Sequence, residues 1–279
     1  MTENPAATVA GPMVAGEAAS KAPVSKDPWE HLKKFTRARI ALGRAGNSMP
    51  TDEVLRFGFS HAMARDAVHL PLDVDALCRS LGDAGFETLR VRSAAPDRAA
   101  YLLRPDLGRR LDADAAATLQ DYPHKGFDLS IVVGDGLSSL AIKNHAQPLL
   151  EQLRAVTPPA WNVAPVVIAT QARVALSDAV AEALHARVVV MLVGERPGLT
   201  SPDSLGVYIT YAPRTGRQDA ERNCISNVRP EGLSYGAAAR KTLWLVSEAM
   251  RLKVSGIGLK DQSDIAEIGA VAQPRLSGE

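Results

Sequence analysis

Phe127-Asp128-Leu129-Ser130-Ile131-Val132-Val133-Gly134-Asp135-Gly136 decides the fold. Its apolar middle reads as a buried strand, and the strand stops at a Gly-rich turn. A helix follows from Ser138 to about Ala155, with Pro148 inside it as a predicted kink. Pro165 to Ala169 is a second buried strand, and residues 177–186 form the next helix. Arg187 to Val193 is a third strand and Gly206 to Tyr211 a fourth. A last helix begins at Ser234 and carries Leu243, Leu245, Val246 and Met250. Apolar strands alternating with helices predict a parallel sheet covered on both faces. The expected class is α/β, with a doubly wound, mostly parallel, Rossmann-like sheet. In such sheets ligands settle beyond the carboxyl ends of the strands.

Toward the amino terminus the pattern changes. Asp27-Pro28-Trp29-Glu30 offers an N-cap carboxylate, Pro at the first helical position and Glu at the third. The predicted helix carries Leu32, Phe35 and Ile40 and ends at Gly43. Thr51 caps a second, with Val54, Phe57 and Val68 inward, and Asp73 caps a third closed by Gly85. Phe86 to Arg92 reads as a first strand and Asp112 to Gln120 as a further helix. Residues 1–26, rich in Ala, Pro, Gly and Val, read as a disordered tail or a short packaging peptide, which composition does not separate. Residues 27–110 form a mainly helical N-terminal region, and residues 111–279 the α/β domain.

Bulk properties exclude several function classes. Lys+Arg 32 against Asp+Glu 31 leaves a formal charge of +1, which argues against nucleic acid or an anionic membrane as the main partner. Only two cysteines occur, Cys78 and Cys224, so a disulfide framework or zinc site is not expected and a reducing cytosol fits best. No apolar run approaches the roughly 20 residues that span a bilayer. The chain reads as soluble and intracellular.

The strand-end turns hold the candidate site. Gly134-Asp135-Gly136-Leu137-Ser138-Ser139 matches G-x-G but has Ser139 where a dinucleotide fingerprint wants Gly or Ala. A tight strand-to-helix turn explains it equally well. After the second strand comes Thr170-Gln171-Ala172-Arg173-Val174. After the third comes Gly194-Glu195-Arg196-Pro197-Gly198-Leu199, which alone reads as an exposed turn with a local ion pair. Six histidines are scattered at spacings that suit no metal site. No nucleophile elbow or phosphate-binding loop occurs, and no residue is assigned a catalytic role.

Five blocks carry a resemblance. They are Phe35 to Ser48 (FTRARIALGRAGNS), Ser60 to His69 (SHAMARDAVH), Arg104 to Arg109 (RPDLGR), Val193 to Gly206 (VGERPGLTSPDSLG) and Arg222 to Tyr235 (RNCISNVRPEGLSY). In this order, over about residues 28 to 262, the chain resembles the small subunit of ethanolamine ammonia-lyase. The resemblance implies an adenosylcobalamin-dependent lyase that converts ethanolamine to acetaldehyde and ammonia by a radical route. The large subunit, a TIM barrel, would hold the substrate, and this chain would close the other side of the cobalamin site. It also implies cobalamin contacts at Val174, Glu195 and Cys224. Glu195 would accept amide hydrogens of the corrin arms, Val174 would offer apolar area, and Cys224 either touches the cofactor or only packs. Arg173 and Asp135, beside these turns, rank behind them. The histidine motif that displaces the lower axial base is absent, since Asp121-Tyr122-Pro123-His124-Lys125-Gly126 has the wrong spacing. The resemblance implies instead that the cofactor's own benzimidazole stays as the axial ligand. The family's ethanolamine breakdown is often enclosed in a bacterial microcompartment, so the expected location is cytoplasmic, free or enclosed. The alternatives are a non-catalytic nucleotide-binding or assembly module and, weakened by Ser139, an NAD-dependent enzyme.

Overall fold

The computed structural model describes residues 24–264. The expectation for residues 1–26 falls almost wholly outside that range. The described chain forms two compact units that part between Phe57 and Gly58.

In the first unit, Asp27 caps a 3-10 helix, Pro28–Lys34, by accepting from the Trp29 N–H at 2.9 Å. The helix expected to run on to Gly43 stops there. Ala41, Gly43 and Gly46 take left-handed backbone conformations that no helix continues, and Ser25 and Arg44 pair as an antiparallel bridge. Phe35 is exposed, not core. Helix α1 (Thr51–His69) departs from expectation in its packing: Val54 and Phe57 are exposed and only Ala67 is buried. Its apolar residues, Val54, Leu55, Phe57, Phe59 and Met63, are spread around the helix instead of forming one stripe, so no single face collects them.

The second unit holds one six-stranded sheet. Its strands are β1 (Thr88–Arg92), β2 (Leu129–Gly134), β3 (Val166–Thr170), β4 (Val188–Gly194), β5 (Leu205–Tyr211) and β6 (Asn223–Val228). The spatial order is β1-β3-β2-β4-β5-β6. The first four are parallel, whereas β5 is antiparallel to both β4 and β6. The sheet is therefore mixed: the α/β class and the parallel run from β1 to β4 agree with the expectation, and the antiparallel β5 corrects its Rossmann-like part. The cause is local. A parallel return needs a crossover, usually a helix, and the segment from Glu195 to Ser204 contains none, so the chain folds straight back. Strand β1, from the N-terminal region, pairs with β3 along its whole length.

Helices cover both faces. On one lie α2 (Val74–Asp83), α5 (Ser139–Val156) and α7 (Tyr235–Leu252); on the other lie α4 (Ala113–Gln120) and α6 (Leu176–Ala183). A short α3 (Arg98–Leu103) follows β1. Strand alternation divides the core cleanly. Ile131, Ile168 and Leu192 face the α5 layer, and Val132, Val167 and Met191 face the α6 layer. Burial on both faces is why β4 is apolar throughout and β2 is apolar except for Ser130. Caps follow the sequence: Asp73, Asp112, Ser138 and Ser234 each accept an N–H of the first turn of their helix.

Candidate cofactor site at the strand ends

The turns after β2, β3 and β4 meet at one end of the sheet, and glycine lets them touch. Gly136 has φ of +57°, and a Cβ there would collide with the Gly194 carbonyl and the Val193 side chain. Gly194 is equally crowded by the Ser138 and Asp135 carbonyls, and the Leu137 N–H donates to the Gly194 carbonyl at 2.9 Å. The G-x-G turn is thus filled by protein. Ser139, where the dinucleotide fingerprint fails, is buried and donates to the Leu70 carbonyl at 2.5 Å.

Asp135 binds these turns together. Its carboxylate, 2% exposed, accepts the Gln171 and Ala172 N–H groups at 3.0 Å each and Arg98 Nη1 at 3.2 Å. Burial pushes its carboxyl up, and Arg98 and the two amides pull it back. Arg98 also donates to the carbonyls of Val68 at 2.7 Å and Gly136 at 2.9 Å. Tyr101 is fully buried, donates to the Ala172 carbonyl at 3.1 Å, and carries the Arg98 and Arg173 guanidiniums on its ring. Burial raises its phenol well above the usual range.

Beside this cluster lies a groove of about 400 Å³ lined by residues that include Tyr101, Arg173, Val174, Glu195, Arg196 and Tyr208. Val174 and Glu195, predicted from different turns, therefore share one wall system. The Glu195 N–H donates to the Ser204 carbonyl at 3.0 Å, and its carboxylate accepts the Asn227 N–H at 3.3 Å. Gly206 leaves room for it, since a Cβ there would lie 3.1 Å from Glu195 Oε1. Cys224 is not in the groove wall. It is exposed on β6, directly opposite Tyr208 in register, with its sulfur 3.5 Å from the Ser226 hydroxyl. Burial raises the Tyr208 phenol, and the Cys224 thiol beside it adds to the shift.

The segment between β4 and β5 is tied down at its far end as well. Asp203 accepts from Asn144 Nδ2 and lies 3.3 Å from His145 Nε2, while His145 Nδ1 lies 2.8 Å from the Tyr235 hydroxyl. Sequence reasoning missed Arg98, Tyr101, His145 and Asp203. They act through contacts between distant segments and carry no local pattern. Three buried polar atoms here have no hydrogen-bond partner: Arg98 Nη2, Gln171 Oε1 and Arg173 Nε. Of these three residues, Arg173 lines the groove, whereas Arg98 and Gln171 lie behind its wall. His124 is elsewhere. It is exposed, just before β2, at the opposite end of the sheet.

Comparison with known proteins identifies the family. The model of the ethanolamine ammonia-lyase light chain family (EutC) matches residues 26–260. The ethanolamine ammonia-lyase small subunit of Azotobacter vinelandii is 53% identical over 259 residues, 91% of this chain and 96% of its own length. That of Ralstonia nicotianae is 54% identical over 248 residues, covering 88% and 92%. That of Pseudomonas fluorescens is 51% identical over 258 residues, covering 91% and 94%. The chain belongs to the ethanolamine ammonia-lyase light chain family.

Proposed function

We propose that the chain is the small subunit of an adenosylcobalamin-dependent ethanolamine ammonia-lyase. In this reading its strand-end groove closes one side of the cobalamin site against a large, TIM-barrel subunit. The observation that carries the reading is the meeting of Val174 and Glu195 in one groove, beside polar atoms that lack protein partners. A corrin is rimmed by amide arms, whose N–H donors suit the Glu195 carboxylate in the groove wall. When bound, adenosylcobalamin supplies the radical chemistry that turns ethanolamine into acetaldehyde and ammonia. This chain orients the cofactor, excludes water and supplies no catalytic residue. Cys224 meets the cofactor at the outer margin, beyond Tyr208.

The lower axial ligand is the cofactor's own benzimidazole, a reading supported by the distance of His124 from the groove along the sheet. Pairing with a large subunit is supported by the exposed apolar side chains of α1, among them Leu55 and Phe59 at 67% and 68% exposure, area of the kind that subunit interfaces cover. No helix among the described residues is long and apolar enough to cross a membrane. We place the complex in the cytoplasm, free or within a microcompartment. Co-expression with the large subunit tests the whole reading. The two chains should co-purify, bind hydroxocobalamin by absorbance, and release ammonia from ethanolamine with adenosylcobalamin. A chain that stays unpaired and binds no corrin refutes it.

A further inference from the structure

Arg173 is a cation without an anion. It follows Ala172 in the turn after β3 and lines the groove next to Val174. None of the ion pairs among the described residues engages it, whereas its neighbour Arg98 is matched by Asp135 at 3.2 Å. Its Nε is buried with no partner, and its Nη2 reaches the Tyr101 carbonyl only at 3.5 Å, the outer limit of a hydrogen bond. A buried donor left in this state weakens the fold unless something else takes it. The other cation of the groove, Arg196, is exposed.

The side chain is nevertheless held in place. Its guanidinium lies 4.4 Å from the centre of the Tyr101 ring, and the Arg173 backbone N–H donates to the Gly108 carbonyl at 2.8 Å. Gly108 has no room for a side chain. A Cβ there would stand 2.9 Å from Arg173 Cγ and from two Tyr101 ring carbons. The RPDLGR block thus has a task that its sequence did not disclose: its glycine seats the arginine stem against the tyrosine. A fixed, unpaired guanidinium in a groove is a receptor for an oxyanion, whose oxygens match its fork of N–H donors.

We propose that Arg173, positioned by Tyr101 and Gly108, receives a phosphodiester. If the groove is the cobalamin site, on which this inference rests, the group is the phosphate of the cofactor's nucleotide tail. The corrin amides are neutral, and that phosphate is the anion the cofactor brings. Arg173 would then select corrinoids by their tail, while Val174 and Glu195 meet the ring and its arms.

The test uses the complex with the large subunit and three corrinoids, titrated by absorbance: hydroxocobalamin, cobinamide phosphate and cobinamide, which lacks both phosphate and base. Arg173→Gln keeps the stem over Tyr101 and removes the charge. It should weaken hydroxocobalamin and cobinamide phosphate by about tenfold to a hundredfold and leave cobinamide unchanged. Arg173→Lys should restore part of the loss, and Gly108→Ala should show the same selectivity as Arg173→Gln. Equal weakening of all three corrinoids would mean that Arg173 only shapes the turn. No weakening of any would mean that it touches nothing. Either outcome overturns the inference while the cobalamin reading stands; a wild-type complex that binds none of the three overturns both.

Discussion

Glu195 is fixed at both ends of its reach. Its N–H is committed to Ser204, its carboxylate takes the Asn227 N–H, and Gly206 clears the space it occupies. A carboxylate held this way loses little freedom when it accepts a further amide hydrogen. Glu195→Ala should therefore cost a charge-assisted bond of about 1.5 to 3 kcal/mol, a 10- to 150-fold loss in cobalamin affinity. Titration of assembled complexes with hydroxocobalamin reads this directly; an ordinary turn residue would leave the dissociation constant unmoved. His124→Ala should change nothing at the cobalt. Electron paramagnetic resonance of the cob(II)alamin complex should show nitrogen coupling from isotope-labelled benzimidazole, and coupling to a protein imidazole would refute that. Val174 and Glu195 were named by the resemblance, in turns that follow apolar strands, and the structure brings both to one groove. Arg98 was not, because nothing near it in sequence announces that its guanidinium ends at Asp135.

Strands β2, β3 and β4 were legible because burial on both faces leaves a continuous apolar run. Strand β6 was not, since at the edge of the sheet it alternates with polar residues such as Asn223 and Ser226. The direction of β5 was also hidden. Composition does not encode direction, and the clue was the missing helix between residues 195 and 204. One buried pair joins α6 to the start of β6: Arg222 donates to both Asp178 oxygens at 2.7 Å, with each side chain 1% exposed. Asp178→Asn leaves that buried guanidinium with the exposed Asp219, 3.4 Å from its Nε, as countercharge and should cost about 3 kcal/mol, measured by urea unfolding. Replacing both residues by apolar ones of similar volume should recover most of it. At the amino ends of the strands, the Asn162 N–H and then Arg187 hold the Asp128 carboxyl below its ordinary value. A carboxyl whose folded pKa is depressed stabilises the fold above its unfolded value, near about 3.9, and that stabilisation disappears as pH falls through the folded value. The melting temperature should fall below about pH 4 less steeply in Asp128→Asn than in the wild type. Parallel curves would count against the assignment.

The strand-end groove presents binding groups but no acid–base pair placed for catalysis. The isolated chain, mixed with ethanolamine and adenosylcobalamin, should accordingly yield no acetaldehyde, and the large subunit should restore turnover. Product without that subunit would contradict the division of labour. The layered α/β class was readable from the alternation of runs, whereas the mixed sheet and the weak packing of α1 needed coordinates. The Asp135 cluster has a kinetic consequence. Asp135 accepts from positions 36 and 37 residues later and from Arg98, 37 residues earlier, and the Tyr101 hydroxyl reaches a carbonyl 71 residues away. This set of bonds cannot form until β1, β2 and β3 have found one another, because each closes a long loop whose entropy must first be overcome by the sheet. The groove is therefore among the last features to appear as the chain folds. Under the proposed cofactor role, a nascent or half-folded chain would offer the corrinoid nothing to hold, and cofactor capture would report that folding is complete without guiding it.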